Sequence, residues 1–275
     1  MRRARGCISS KSESRSAGGW WDQFRAITGG PDGGMHLKTA LIDRPAGDPY
    51  LNKGLWEAVG RPLPHELTTR LAQNGLRVGL FSGIIPSEFE QLIRSDHATI
   101  NMMLYTAQSG KPRVIPVNGP LETCSYQVRT EIAGDPVRLD LAAAELGLSI
   151  AAVPLPGGRI RLTCQPQVQH GDKQAYLQPS TDNTSFVRQD HKPLETYPTL
   201  QWDVTVSPDD YLVIGATEDP VGTLGQALFF TSDGSRVRQR ALVVRATGAP
   251  VASGGKPVPK PAGDTTVQYG ITAQR

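Results

Sequence analysis

The clearest alternation of apolar and polar residues lies between Leu146 and Val168, and this period of two predicts a β-hairpin. The first strand carries three apolar residues on one face, Leu148, Ile150 and Ala152. The second strand carries Ile160, Leu162 and Cys164 on one face and Arg159, Arg161 and Thr163 on the other. Between the strands, Pro156, Gly157 and Gly158 form a turn whose glycines can adopt positive φ.

The segment 35–108 has a mixed pattern that predicts a small α/β unit. Two alternating stretches, HLKTALIDRP and LRVGLFSG, predict strands. Three stretches predict helices: LNKGLWEAV, PHELTTRLAQNG and SEFEQLIRS. The second helix has Pro64 in its first turn and Gly75 at its C-terminal end, where each is favoured. The order is strand, helix, helix, strand, helix.

The segment 109–248 is predicted to be a mainly antiparallel β domain, so the chain is assigned to the α+β class. Apart from the hairpin, the candidate strands are RVIPV, CSYQVRTEI, VRLDL, LQWDVTV, DYLVIGA, QALFFTS and RALVVRA. Residues 169–199 are polar and contain proline, and we predict a long loop there. We also predict a disordered N-terminal arm over 1–34 and a Pro/Gly-rich tail over 249–275.

Composition and charge bear on the secondary structure and on whether the protein binds nucleic acid or spans a membrane. The 275 residues include 29 Gly and 22 Pro, which favours short strands and many turns over long helices. The net charge of +3 is too small and too evenly spread to predict a nucleic-acid surface. No run of about 18 apolar residues is present, so we expect no transmembrane helix.

The three cysteines leave alternatives open. Because no CxxC pair occurs, a zinc site is not expected. Cys124 and Cys164 lie in strand-like segments and are either a disulfide in an oxidising compartment or two buried thiols. Cys7 follows a basic start and is a candidate for lipidation, but no apolar stretch completes a signal peptide. A cytoplasmic location with a disordered tail therefore remains the alternative.

Candidate catalytic groups are few. His65 and Glu66 begin like a zinc-protease helix, but Thr69 stands where the second histidine is required. Asp43, Asp48 and Glu57 could converge near the end of the first strand, although aspartates in such turns usually bond to the backbone. The five histidines have no spacing that predicts a shared metal; they are His36, His65, His97, His170 and His191. We predict no catalytic residue, no cofactor and no metal.

Four stretches over 146–247 together resemble the C-terminal core of the bacterial secretin family, the outer-membrane channels of type II and III secretion and type IV pilus systems. The hairpin is similar through Ile160, Leu162, Pro166 and Val168. LQWDVTVSPDDYLVIGA is similar to the family's strand, turn and "vvIGG" pattern, with Ala216 in place of the second glycine. DPVGTLGQALFF resembles a shortened lip segment, and QRALVVRAT resembles the terminal apolar strand.

The resemblance implies a non-enzymatic protein of the cell envelope, in the periplasm or outer membrane, that acts as a structural or assembly subunit of secretion or pilus-type machinery. Its partners would be proteins or further copies of itself, joined through strand edges, and membrane contact would not involve a transmembrane helix. The residues expected to matter are structural: Pro156, Gly157, Gly158, Gly215, Leu224 and Gly225. Residues 169–199 depart from the family because they lack a lipid-facing band.

Two other functions are compatible with the sequence. The first is a β-sandwich module that binds a peptide or glycan through the 169–199 loop. The second is a hydrolase that uses dispersed carboxylates such as Asp43 and Asp48.

Overall fold

The computed structural model describes residues 35–131, 133–179 and 186–247. The strands of this part are β1 (Met35–Pro45), β2 (Leu76–Phe81), β3 (Thr99–Ala107), β4 (Arg113–Val128), β5 (Val137–Pro154), β6 (Ile160–Gln169), β7 (Gln174–Pro179), β8 (Phe186–His191), β9 (Leu194–Thr196), β10 (Trp202–Val206), β11 (Tyr211–Ala216), β12 (Phe230–Asp233) and β13 (Arg236–Thr247). The helices are α1 (Leu55–Ala58), which continues a π-helical turn over Tyr50–Gly54, α2 (His65–Gln73), α3 (Ser87–Arg94) and α4 (Leu224–Phe229). The predicted α+β class is confirmed.

The first sheet has the order β2–β11–β13–β1–β3, and β12 also pairs with β13. All of its pairs are antiparallel, and the pairing of β1 with β13 runs from His36 opposite Thr247 to Pro45 opposite Arg238. Strands from both predicted domains, 35–108 and 109–248, therefore share one sheet. The boundary predicted at residue 108 does not separate two sheets, because β1 finds its long partner at the other end of the described chain.

The second sheet has the order β10–β6–β5–β4, and β9 pairs with β6. Its centre is the predicted hairpin, with Leu146 opposite Val168 and Pro154 opposite Ile160. In the turn, Gly157 and Gly158 have φ values of 79° and 75°. The predicted hairpin and its buried face are confirmed, and the register is given by the structure.

The two sheets and the helices form three layers. One core lies between the sheets and contains Leu37 and Leu41 of β1 together with Leu148 and Ile150 of β5. A second core lies on the other face of the first sheet, where Ile42, Val213 and Val243 meet Leu55 of α1 and Phe89 and Ile93 of α3. Because both faces of β1 are covered, even its Lys38 and Thr39 are buried.

Three segments differ from the predictions. Residues 169–199 are not one loop, because β7 pairs with β8 and β9 pairs with β6. QALFFTS is not a single strand; the Thr223 hydroxyl accepts a hydrogen bond from the Gln226 N–H and starts α4, and β12 follows only from Phe230. TINMMLYTA forms β3, which the pattern did not indicate because a bulge at Asn101 interrupts its alternation.

Some predictions lie outside the described residues. These are the arm over 1–34 with the lipidation candidate Cys7, and the tail over 249–275. Within the described ranges no helix is long and apolar enough to cross a bilayer, as predicted.

A joint between the layers is built on Asn74, which is fully buried after α2. Its side-chain amide donates to the carbonyls of Arg70 and Arg129 at 2.9 Å each, and its side-chain oxygen accepts from the Arg129 N–H at 2.7 Å. Its backbone carbonyl accepts from the Gly225 N–H at 2.8 Å. One residue thereby joins α2, the end of β4 and the start of α4.

Gly225, one of the predicted structural glycines, has no room for a side chain at this joint. A Cβ on Gly225 would overlap the carbonyl of Gly75, whose own φ is +75°. We expect Gly225→Ala to lower the free energy of unfolding by about 2–3 kcal/mol, because overpacking against backbone outweighs the gain in helix propensity of about 1 kcal/mol. Urea denaturation measures this change.

Gly60→Ala is the matched control, since a Cβ there lies 3.4 Å from the Leu80 carbonyl oxygen, an ordinary contact. Its effect should stay within about 1 kcal/mol. Equal effects of the two substitutions would contradict the steric argument for Gly225.

Candidate assembly edge

Each of the three carboxylates considered for catalysis already has partners of its own. Asp43 accepts from Arg238 Nε at 2.6 Å and Arg240 Nε at 3.4 Å. Asp48 accepts from the backbone N–H groups of Tyr50 and Leu51 and from Arg44, as an aspartate at a helix start does. Glu57 is exposed beside Lys53. These hydrogen bonds and ion pairs give each carboxylate a role in stabilising the fold.

The arginines on Asp43 extend this contact to the second sheet. Arg240 Nη1 donates to the Val117 carbonyl of β4 at 3.1 Å. Next to it, the Asn118 side-chain amide donates to the carbonyls of Ala227 and Phe230 at 2.8 and 2.7 Å. Asp43 therefore anchors a polar bridge from the first sheet to β4.

The histidines do not converge on a metal. His170 Nε2 lies 3.3 Å from Glu195 Oε1, which ties the end of β6 to β9. Across the part of the chain that the structure covers, no group of three or more His, Cys, Asp or Glu side chains is arranged to hold a metal ion.

Cys124 and Cys164 are both buried and free. Cys124 lies opposite Leu141 of β5, and Cys164 lies opposite Ile150, nine positions farther along the same strand. At about 3.3 Å per residue this is roughly 30 Å of strand, whereas a disulfide needs Cα atoms within about 7 Å. The register thus offers no disulfide between them, and burial raises the pKa of both thiols.

Lys38 is a buried cation that the sequence pattern did not single out. It lies on β1 directly opposite Arg245 of β13. Burial, and then the charge of Arg245, lowers the pKa of Lys38 to about 8. Arg245 is held by the Pro208 carbonyl at 2.9 Å and the Asp209 carboxylate at 2.6 Å. Burial in the sheet and the neighbouring Arg245 therefore explain the lowered pKa of Lys38.

The predicted structural residues are dispersed over the fold. Pro156, Gly157 and Gly158 form the hairpin turn at the edge of the molecule. A Cβ on Gly215 would lie 2.9 Å from Cζ2 of Trp56, so β11 and the α1 segment approach closely there. Leu224 and Gly225 are buried in α4 at the Asn74 joint. They shape the fold and do not form one site.

The strand edges differ in how open they are. The free side of β2 is partly covered, since Gly60 and Leu80 exchange backbone hydrogen bonds at 2.9 and 3.0 Å. The free side of β4 contains Pro116 and Pro120 and two register shifts, which discourage further pairing. By contrast, β3 has nine residues with no proline and no charge. An edge of this kind is a template for another strand.

The β3 edge stands beside a cleft that opens between the sheets. The cleft has a volume of about 280 Å³. Its lining is mostly apolar and includes Leu41, Met103, Tyr105, Ile115, Pro116 and Leu242. At its rim Arg113 of β4 stacks over the Tyr105 ring at 5.0 Å, so the edges of both sheets meet on this side.

Apolar side chains on β3 remain accessible. Met103 is 50% exposed on the face that lines the cleft, and Leu104 is 45% exposed on the opposite face. Asn101 has a φ of 50°, and the register between β1 and β3 shifts there. We name β3 and this cleft the open edge. Sequence reasoning missed it, and the uncharged run TINMMLYTA, rich in strand-forming residues, was the available signal.

Comparisons with known proteins give a weak likeness of fold. No protein-family model matches the chain, and no curated protein matches its sequence. Among solved structures, it is similar to the InvG secretin domain β-barrel from the Salmonella SPI-1 injectisome NC-base, with 9% sequence identity and a TM-score of 0.24. The match covers 82% of this chain and 65% of that one, so the chain spans less than two thirds of the matched structure.

The Asp43 bridge is open to a direct test. We expect Asp43→Asn to lower the free energy of unfolding by about 2–4 kcal/mol, because two arginines lose a mostly buried counter-ion. Chemical denaturation measures the loss. Glu57→Gln is the control, since its exposed pair with Lys53 should contribute less than about 1 kcal/mol. Similar losses in both variants would contradict the assignment.

Proposed function

We propose that this protein is a non-enzymatic structural subunit whose copies associate through strand edges, as part of secretion or pilus-type machinery in the cell envelope. The observation that carries the proposal is the open edge. It combines an uncharged strand at the end of the first sheet, half-exposed Met103 and Leu104, and an apolar cleft beside them. Backbone hydrogen bonds would supply affinity, and the cleft would select an apolar side chain.

Two further observations support an assembly role. The resemblance of residues 146–247 to the secretin core begins at a hairpin that forms as predicted. The candidate catalytic carboxylates Asp43 and Asp48 accept hydrogen bonds from arginine side chains and backbone amides. Strand addition at β3 needs no reactive side chain, and pairing of β3 with β3 joins two identical copies as a closed pair, whereas a ring would need β3 to pair with a different edge of the next copy.

Lysine on the open edge should prevent assembly. We expect the double variant Met103→Lys with Leu104→Lys to shift the protein from oligomer to monomer, because neither charge can be desolvated when another strand pairs with β3. Both positions are half-exposed, so the fold should tolerate the change. Light scattering coupled to size exclusion, over a concentration series, measures the mass.

Ile84→Lys is the control, since Ile84 is 95% exposed in the connection between β2 and α3. This variant should assemble like the parent protein. A parent protein that is monomeric at every concentration, or an oligomer that survives both β3 lysines, would refute the proposal.

A second candidate function is peptide or glycan binding through the hairpin of β7 and β8. In the described residues these two strands pair only with each other, and Phe186 on β8 is 71% exposed. The base of the hairpin is anchored separately, by Lys192 Nζ on Glu145 at 2.7 Å and the His170 N–H on the Pro193 carbonyl at 3.0 Å. A projecting strand pair with an exposed aromatic ring is a surface suited to such ligands.

The hairpin can therefore be shortened without disturbing its base. If the second function holds, replacing residues 174–190 by a short Gly/Ser linker should abolish binding on glycan and peptide arrays and leave the unfolding midpoint nearly unchanged. Phe186→Ala should weaken binding in the same direction. Binding that persists without the hairpin would exclude this function.

A further inference from the structure

The cleft of the open edge has a size and a lining that suit a single hydrocarbon chain. Its lining includes Met103 and Tyr105 of β3, Ile115 and Pro116 of β4, and Leu242 of β13. The volume of about 280 Å³ corresponds to about nine water-sized groups at roughly 30 Å³ each. A methylene group has a similar size, so the cleft has room for one alkyl chain of about nine carbons.

One end of the cleft is closed by the polar bridge between the sheets. Thr39 and Leu41 of β1 line the cleft. Asp43, the next residue on that face of β1, anchors the bridge that reaches the Val117 carbonyl of β4. Because the bridge spans both sheets, a head group has its place at the opposite end.

The opposite end is positively charged. Tyr105 marks this end, since it lies opposite Leu37 of β1, and the exposed Arg113 stacks its guanidinium over the Tyr105 ring at 5.0 Å. Lys111, also exposed, lies in the connection between β3 and β4. Residues 99–121, which include β3 and the part of β4 beside the cleft, contain these two cations and no Asp or Glu. An anionic head group would therefore meet positive charge and no carboxylate from these strands.

We propose that the cleft binds a medium-chain carboxylate, a fatty-acid anion of about ten carbons, with its alkyl chain along β3 and its carboxylate beside Arg113. Burial of the chain supplies most of the affinity. The exposed arginine contributes less to affinity, and its charge selects a negative head group over a positive one.

This inference goes beyond the proposed function, because the ligand needs only one copy of the protein. One consequence does rest on the proposed function. A bound alkyl chain would fill the space that a neighbour's apolar side chain would take, so the fatty acid would oppose assembly.

The test is equilibrium dialysis of the full chain against labelled carboxylates, below their micelle concentrations and at a protein concentration where light scattering shows a monomer. We expect saturable binding at one site. The affinity should rise about fourfold per added methylene from hexanoate to decanoate, and it should level off at dodecanoate because the cleft is full. Decylammonium, with the same chain and the opposite charge, should bind about tenfold less tightly.

Two variants test the residues of the cleft. Met103→Trp should fill the cleft and weaken decanoate binding about tenfold or more, while the unfolding midpoint stays nearly unchanged because Met103 is half-exposed. Arg113→Gln should weaken decanoate binding by up to about fivefold and reduce the preference over decylammonium. Arg159→Gln, at an exposed position beside the turn of the β5–β6 hairpin, is the matched control and should bind like the parent protein.

Each contrary outcome has a defined meaning. The inference would be overturned by a lack of saturable decanoate binding, by equal affinity for decanoate and decylammonium, or by unchanged binding in the Met103→Trp variant. If decanoate does not bind but the β3 lysines abolish the oligomer, the cleft belongs to a neighbouring copy and only the inference fails. If decanoate binds to a protein that is monomeric at every concentration, only the proposed function fails.

Discussion

The antiparallel pairing of β1 with β13 is the interaction on which the rest of the structure depends. It joins residues 36–45 to residues 238–247 and makes one sheet from the two ends of the described chain. Both faces of this pair are buried, by the second sheet on one side and by α1 and α3 on the other. Without this pairing, β3 would be separated from β11 and β2, and neither core would pack against one continuous sheet.

The same pairing decides where the open edge lies. Because β1 has β13 on one side, its other side is left for β3, and the sheet ends there. The chain then turns directly into β4, which brings the edge of the second sheet beside it. The cleft between these edges exists because Met103 and Tyr105 of the first sheet and Ile115 and Pro116 of the second do not fully close the gap.

The parts of the fold that could be predicted are those in which local pattern and tertiary environment agree. The hairpin of β5 and β6 has one buried face, so its period of two follows directly from burial, and Gly157 and Gly158 match the φ values of the turn. The helices α2 and α3 each have an apolar stripe that faces a core.

The parts that could not be predicted depend on distant contacts. The bulge at Asn101 breaks the alternation of β3, so the strand that forms the candidate site had no clean period. The centre of QALFFTS, residues 227–230, is a short apolar run that suits a strand or a helix, and the helix start at Leu224 is marked only by the Thr223 cap and the close approach of Gly225 to Gly75. The sharing of one sheet across residue 108 follows from a pairing of residues some two hundred positions apart, which no local pattern records.

The adjacency of His36 and Thr247 has a mechanical consequence. Tension applied between the segments attached before β1 and after β13 would pull the two strands apart at a single corner, at right angles to their length. The backbone hydrogen bonds of the ladder would then carry load one after another and not together. The body would open like a zipper at low force from this corner, while the second sheet, which neither strand belongs to, would not bear the load at first.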